Sequence, residues 1–178
     1  MFENINRICI IGGSGTGKTT LSENLKNELN LPVVHIDGIN YFENWVERDK
    51  SERDNLIIKK MSEDKWIMDG TYSSTLKQRL ERAELIIYLD YSTLSQVTGV
   101  FKRFLKNPNK IKPEIPGCKE SISFKFLLFV INWRKNKREF VVSTLSTIDK
   151  NKILTFRSRR KLNKWYKKQF NKKIDKNL

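Results

Sequence analysis

Cysteine is almost absent from this sequence: Cys9 and Cys118 are the only two, and neither has a CxxC partner or a metal-ligand neighbourhood. That excludes a disulfide framework and a cysteine-built metal module. Cys9 reads as a small buried strand residue and Cys118 as a loop residue. Histidine is limited to His35, read as packing against the cover of a sheet. Long apolar runs are missing too. The longest, Phe126 to Ile131, is far short of the roughly 20 residues that span a bilayer. The first, Ile8 to Ile11, is too short for the core of a signal peptide. No membrane partner is expected, and the expected setting is the cytoplasm.

What remains is a chain of globular proportions, 38% hydrophobic and 31% charged. Its 178 residues fit one domain, 1–178, with a core of its own. The formal net charge of +15 is unevenly spread: 12 basic and 15 acidic residues run through Asp90, and 23 basic and 5 acidic follow it. A surface for nucleic acid is one reading, with Arg159, Arg160, Lys164 and Lys168 as its contacts. The other is a solvated lysine-rich surface, favoured because 24 of the 35 basic residues are lysine.

Short apolar runs alternate with helical periodicity. Strands are expected at Arg7 to Ile11, Pro32 to Asp37, Lys65 to Asp69, Glu84 to Asp90 and Lys152 to Phe156. Helices are expected at Lys18 to Leu29, Ser51 to Met61, Ser73 to Arg82 and Thr93 to Leu105, with a basic one at the C-terminus. Such alternation predicts an α/β fold, a parallel sheet covered on both faces. The alternation breaks between Asn107 and Leu145, where a proline-rich entry leads into a helical stretch from about Ser121. This insertion reads either as a lid over a bound nucleotide or as a packing helix.

Four of the eight glycines fall within one loop, Gly12-Gly13-Ser14-Gly15-Thr16-Gly17-Lys18-Thr19, followed by Thr20. The spacing G-x-x-x-x-G-K-[ST] between a strand and a helix is that of a phosphate-binding loop. Its backbone N–H groups would curl around phosphate oxygens at the positive end of the following helix. Lys18 would bridge the β- and γ-phosphates of ATP, and the Thr19 hydroxyl would ligate Mg²⁺.

Three aspartates end expected strands, where an open parallel sheet has its ligand crevice. Asp69, followed by Gly70, is the metal candidate beside Thr19. Asp37 is the acceptor-side candidate, as base or substrate anchor. Asp90 reads as a site acid or a helix cap. Arginines stabilise the charge of a moving phosphoryl group. Arg134 and Arg138, one helical turn apart, are the catalytic candidates, with Arg79, Arg82 and Arg103 beside them.

The segments "IIGGSGTGKTTL", "VVHIDGI", "WIMDGTYSSTLKQRLERAELIIYLD", "PGCKE" and "FRSRRKL" resemble those of bacterial proteins named DNA topology modulation protein, which are adenylate-kinase-like P-loop proteins. Thr71 departs from the "DGNY" usual there. "MDGTY" is also similar to the "DGFPR" of adenylate kinases, whose aspartate helps hold magnesium, but the Pro-Arg is absent. The resemblance implies strand order 2-3-1-4-5, a helical lid, and Arg103 as an adenine-stacking residue. It also implies Mg-ATP-dependent phosphoryl transfer to a small acceptor, a nucleotide or nucleoside. A nucleotide-dependent nucleic-acid binder affecting DNA topology, or a plain NTPase, are the other readings.

Overall fold

The computed structural model describes residue 2, residues 5–106 and residues 108–175. Five parallel strands, β1 (Arg7–Gly12), β2 (Val33–His35), β3 (Trp66–Asp69), β4 (Leu85–Leu89) and β5 (Ile153–Phe156), form one sheet in the order β2-β3-β1-β4-β5. Among the described residues seven α-helices connect and cover it: α1 (Lys18–Leu29), α2 (Ile36–Asn40), α3 (Lys50–Met61), α4 (Ser73–Arg82), α5 (Thr93–Lys106), α6 (Phe124–Ser146) and α7 (Arg159–Phe170).

The inner strands β3 and β4 are buried at every position, as a sheet with both faces covered requires. Alternation along β1 divides the core. Ile8 and Ile10 face Leu21 and Leu25 of α1 with Leu162 and Tyr166 of α7. Cys9 and Ile11 face Leu76 and Leu80 of α4 with Trp133, Val141 and Leu145 of α6. The result is the expected three-layer α/β arrangement. Side-chain oxygens of Asp49, Ser123 and Ser158 cap α3, α6 and α7.

Two expectations change. The strand expected to reach Asp37 ends at His35, because edge strand β2 pairs only with β3 and the ladder stops at His35↔Asp69. The chain then turns into α2, and Asp37 sits in its first turn. The insertion also divides in two. Asn107, its first expected residue, lies outside the described residues. Residues 108–123 are irregular, with one antiparallel bridge, Ile111↔Lys119. Helix α6 packs on α4 and α5, because Trp133, Val141 and Leu145 complete the second core layer. Of the two readings of the insertion, α6 takes the packing one.

Candidate active site

The glycine loop joins β1 to α1. Helix α1 starts after Gly17, in a left-handed conformation with no capping side chain, so its first N–H groups are open to an anion. The loop is seated against α5. A Cβ on Gly99 would lie 2.0 Å from the Gly15 carbonyl oxygen, and one on Gly15 2.3 Å from the Gln96 carbonyl oxygen. Only glycine at both positions allows this approach, and Gly15, at φ +72°, also needs the left-handed region. Arg159 of α7 donates to the Gly15 carbonyl oxygen and, at 2.8 Å, to Ser95 Oγ. Thr71 Oγ1 accepts from the Gly12 N–H and donates to the Gly12 carbonyl, both at 2.9 Å. Thr16 Oγ1 donates to the Gly13 carbonyl at 2.8 Å. Ser14, Thr19 and Thr20 lie within this loop and the first turn of α1.

Lys18 Nζ donates to the Gly13 carbonyl at 3.0 Å. Burial lowers its pKa from the ordinary lysine value, while the charges of Asp37 and Asp69 act to raise it. The charges of Arg103 and Lys112 lower it again.

Asp69, 4% exposed, ends β3 as expected. Its Oδ2 accepts from Ser22 Oγ at 2.6 Å and from His35 Nδ1 at 3.0 Å. His35 Nε2 reaches Glu23 Oε1 at 2.9 Å. Burial alone would lower the His35 pKa, but the hydrogen bonds and charges of Asp69 and then Glu23 outweigh it and raise it to about 9. His35 is thus a cation between two carboxylates rather than a packing residue, and its imidazolium donates through both nitrogens.

Asp37 Oδ1 accepts from the Tyr72 hydroxyl at 2.9 Å. Burial and the Asp37 charge push the Tyr72 pKa upward, so Tyr72 stays a neutral donor. The Arg53 guanidinium stacks 5.0 Å from the Tyr72 ring centre and donates to Asn40 Oδ1 and Asp54 Oδ1. Asp37 is held between a phenol and the first turn of α2.

The arginines depart most from expectation. Arg134 and Arg138 share one face of α6, but that face meets the end of β4. Arg134 Nη1 lies 2.6 Å from Asp90 Oδ1, and Arg138 makes a paired contact with both Asp90 oxygens at 2.9 and 2.8 Å. Burial would raise the Asp90 pKa, yet the two guanidiniums hold it below the usual carboxylate range. Asp90 thus ties α6 to the end of β4 through both guanidiniums. Arg79 is fully buried and donates to the Gly70 and Tyr72 carbonyls, both at 2.9 Å. Arg82 reaches the Ser62 carbonyl at the surface. Arg103 is a cation that lowers the Lys18 pKa, and its Nε lies 2.9 Å from Glu120 Oε2. Arg159, expected in a nucleic-acid surface, belongs to the loop. The sequence reading missed Thr71, Gly99 and Arg159 as loop supports, and only the resemblance around "DGTY" and "FRSRR" pointed at two of them.

Both Asp69 hydrogen bonds fall on Oδ2, which leaves Oδ1 for a cation. Among the described residues no three His, Cys, Asp or Glu side chains gather into a metal cage. One carboxylate and one hydroxyl suit Mg²⁺, which is commonly held by few protein ligands plus phosphates.

Residues 7–94 match a family model described as an AAA domain. No curated protein matches the sequence. Over the whole chain the structure is similar to shikimate kinase from Acinetobacter baumannii in complex with shikimate. Identity is 13%, 98% of each chain is covered, and the TM-score is 0.60. It is also similar to a gluconokinase from Sinorhizobium meliloti 1021, at 12% identity, 93% of this chain, 90% of that one and a TM-score of 0.53. The protein has the fold of the P-loop kinases, with strand order 2-3-1-4-5. Among the described residues no helix is long and apolar enough to cross a membrane.

Proposed function

We propose that this protein is an ATP-dependent phosphotransferase that phosphorylates a small acceptor in the cytoplasm. The observation that carries the reading is the phosphate-binding loop between β1 and α1, with a buried Asp69 ending the neighbouring strand β3 and Asp37 in the first turn of α2, directly after β2. Lys18 binds the β- and γ-phosphates in the loop. Asp37, oriented by Tyr72, accepts the proton of the acceptor hydroxyl as that oxygen attacks the γ-phosphorus. Thr19 and Asp69 are the residues that would hold Mg²⁺, which neutralises phosphate charge. Fixed groups of this kind act mainly by positioning and by stabilising charge.

The test is phosphate transfer from Mg-ATP across nucleosides, nucleoside monophosphates and small polyhydroxy acids, beside an ATP-only control. The first two classes follow from the adenylate-kinase resemblance, and the third from the kinases of similar fold. Phosphate release in the control alone would mark a plain NTPase. Lys18→Ala is expected to remove a charge-assisted contact of roughly 1.5–3 kcal/mol, weakening Mg-ATP binding about ten- to a hundredfold. Unchanged affinity by calorimetry in the folded variant refutes the role of Lys18.

The resemblance to DNA topology modulation proteins adds a second reading, a nucleotide-dependent nucleic-acid binder. Exposed Arg160, Lys161, Lys164 and Lys168 on α7 would serve it. Duplex DNA is expected to bind only non-specifically, with a Kd of about 10⁻⁴–10⁻⁶ M at physiological salt and no response to ATP. Submicromolar binding gated by ATP, lost on charge reversal at Lys161, Lys164 and Lys168, would reverse the order of the two readings.

A further inference from the structure

The segment between α5 and α6 is folded on itself and docked. Lys112 N–H donates to the Cys118 carbonyl at 2.9 Å, and Glu120 N–H to the Lys110 carbonyl at 2.8 Å. These bonds flank the Ile111↔Lys119 bridge and make a small two-stranded flap. Its underside rests on the segment after α2. Trp45 donates from its backbone to Cys118 Sγ at 3.2 Å and from its indole to the Lys119 carbonyl at 3.0 Å. A Cβ on Gly38, next to Asp37, would lie 2.4 Å from the Glu114 carbonyl oxygen. The flap therefore closes against the same short helix that carries the candidate base.

Charge buried under this flap is unusual. Lys112 is 8% exposed and Glu120 3%. One oxygen, Glu120 Oε2, serves two cations from different segments: Arg103 Nε at 2.9 Å and Lys112 Nζ at 3.6 Å. The other, Glu120 Oε1, is buried with no hydrogen-bond partner. A buried carboxylate oxygen left unpaired is costly. The Lys112 contact is also longer than the 2.7–2.9 Å or so of a good charge-assisted bond. The cluster is held together, but it is incomplete.

Its position points to what completes it. Arg103 lies one turn beyond Gly99 on α5, and Gly99 abuts the Gly15 carbonyl of the phosphate loop. The Arg103–Glu120–Lys112 cluster thus adjoins both the loop of Lys18 and the short helix of Asp37. Like charges gathered there call for a ligand with several negative oxygens. A phosphoryl group in transfer spreads its charge over three equatorial oxygens, which suits three separate donors.

We propose that Lys112 is the flap's ligand for the transferred phosphoryl group, and that Glu120 occupies its place in the nucleotide-free protein, holding Lys112 and Arg103 together. This rests on the phosphotransferase reading above. When a triphosphate enters, its γ-phosphate takes Lys112 over from Glu120. Arg103 then stands on the phosphate side, not stacked on the base. A diphosphate lacks the group that Lys112 meets.

The test compares ADP with a non-hydrolysable ATP analogue, AMP-PNP, both with Mg²⁺, by calorimetry. Lys112→Met is expected to weaken AMP-PNP about tenfold or more while ADP changes less than about twofold. Lys112→Arg is expected to recover most of the loss. Glu120→Gln, which removes the competing charge, is expected to tighten AMP-PNP and leave ADP alone. Retained ADP affinity certifies that each variant is folded. Equal losses for the two nucleotides, or no loss with Lys112→Met, overturn the assignment. Failure of the wild-type protein to bind either nucleotide overturns the phosphotransferase reading, and this one with it.

Discussion

Arg79→Met is expected to lower the melting temperature by roughly 4–24 °C. Arg79 is fully buried on α4. Its guanidinium is satisfied by the Gly70 and Tyr72 carbonyls, the Thr75 hydroxyl at 3.2 Å and the Cys9 sulfur at 3.8 Å. Burial lowers its pKa, which records what its desolvation costs. Methionine keeps most of the length and none of the donors, so two buried carbonyls lose their partners at about 1–3 kcal/mol each. For a domain of this size each kcal/mol moves the melting temperature by about 2–4 °C. The damage should also reach the site. The Gly70–Tyr72 turn carries Thr71, which clamps Gly12, and Tyr72, which orients Asp37. Thermal unfolding by circular dichroism, paired with ADP titration below the transition, checks both effects. A shift of less than about 2 °C would show the arginine to be dispensable.

The second large effect is a loss of stability in alkaline, magnesium-free buffer. His35 has its pKa raised from 6.5 to about 9 by Asp69 and Glu23, against the opposing effect of burial. The folded protein therefore holds this proton more tightly than the unfolded chain. The stabilisation is complete below about pH 6.5 and is lost as the pH rises through about 9. A shift of that size amounts to about 3 kcal/mol, or roughly 6–12 °C in melting temperature. His35→Gln should start lower and stay flat across the same window. Parallel curves for wild type and variant would mean that another group titrates there.

These two residues mark the limit of what a sequence makes legible. Arg79 looks like one more basic residue on an amphipathic helix, and its position gives no hint of complete burial. His35 stands alone in composition, and nothing local joins it to Glu23 and Asp69, 12 and 34 residues away. Arg134 and Arg138 carry the opposite lesson. Their spacing rightly placed them on one face, but the direction of that face depended on Trp133, Val141 and Leu145 entering the core. Lys112 is one of 24 lysines, and nothing local sets it apart from the others.

The sequence by itself determined the architecture and the loop. Alternating apolar runs and helical periods dictate a covered parallel sheet, and G-x-x-x-x-G-K-T between strand and helix dictates an anion cradle, because both are local patterns of backbone geometry and burial. Tertiary structure alone decided which charges meet. Asp90 engaged Arg134 and Arg138, Arg159 and Thr71 came to the loop from 144 and 59 residues away, and a flap brought Lys112 and Glu120 to Arg103. Electrostatic partnership acts through space and across buried distances of a few ångströms, which chain order does not encode. The fold was therefore readable residue by residue, whereas the charge pairing waited on the packing of α6 and the flap.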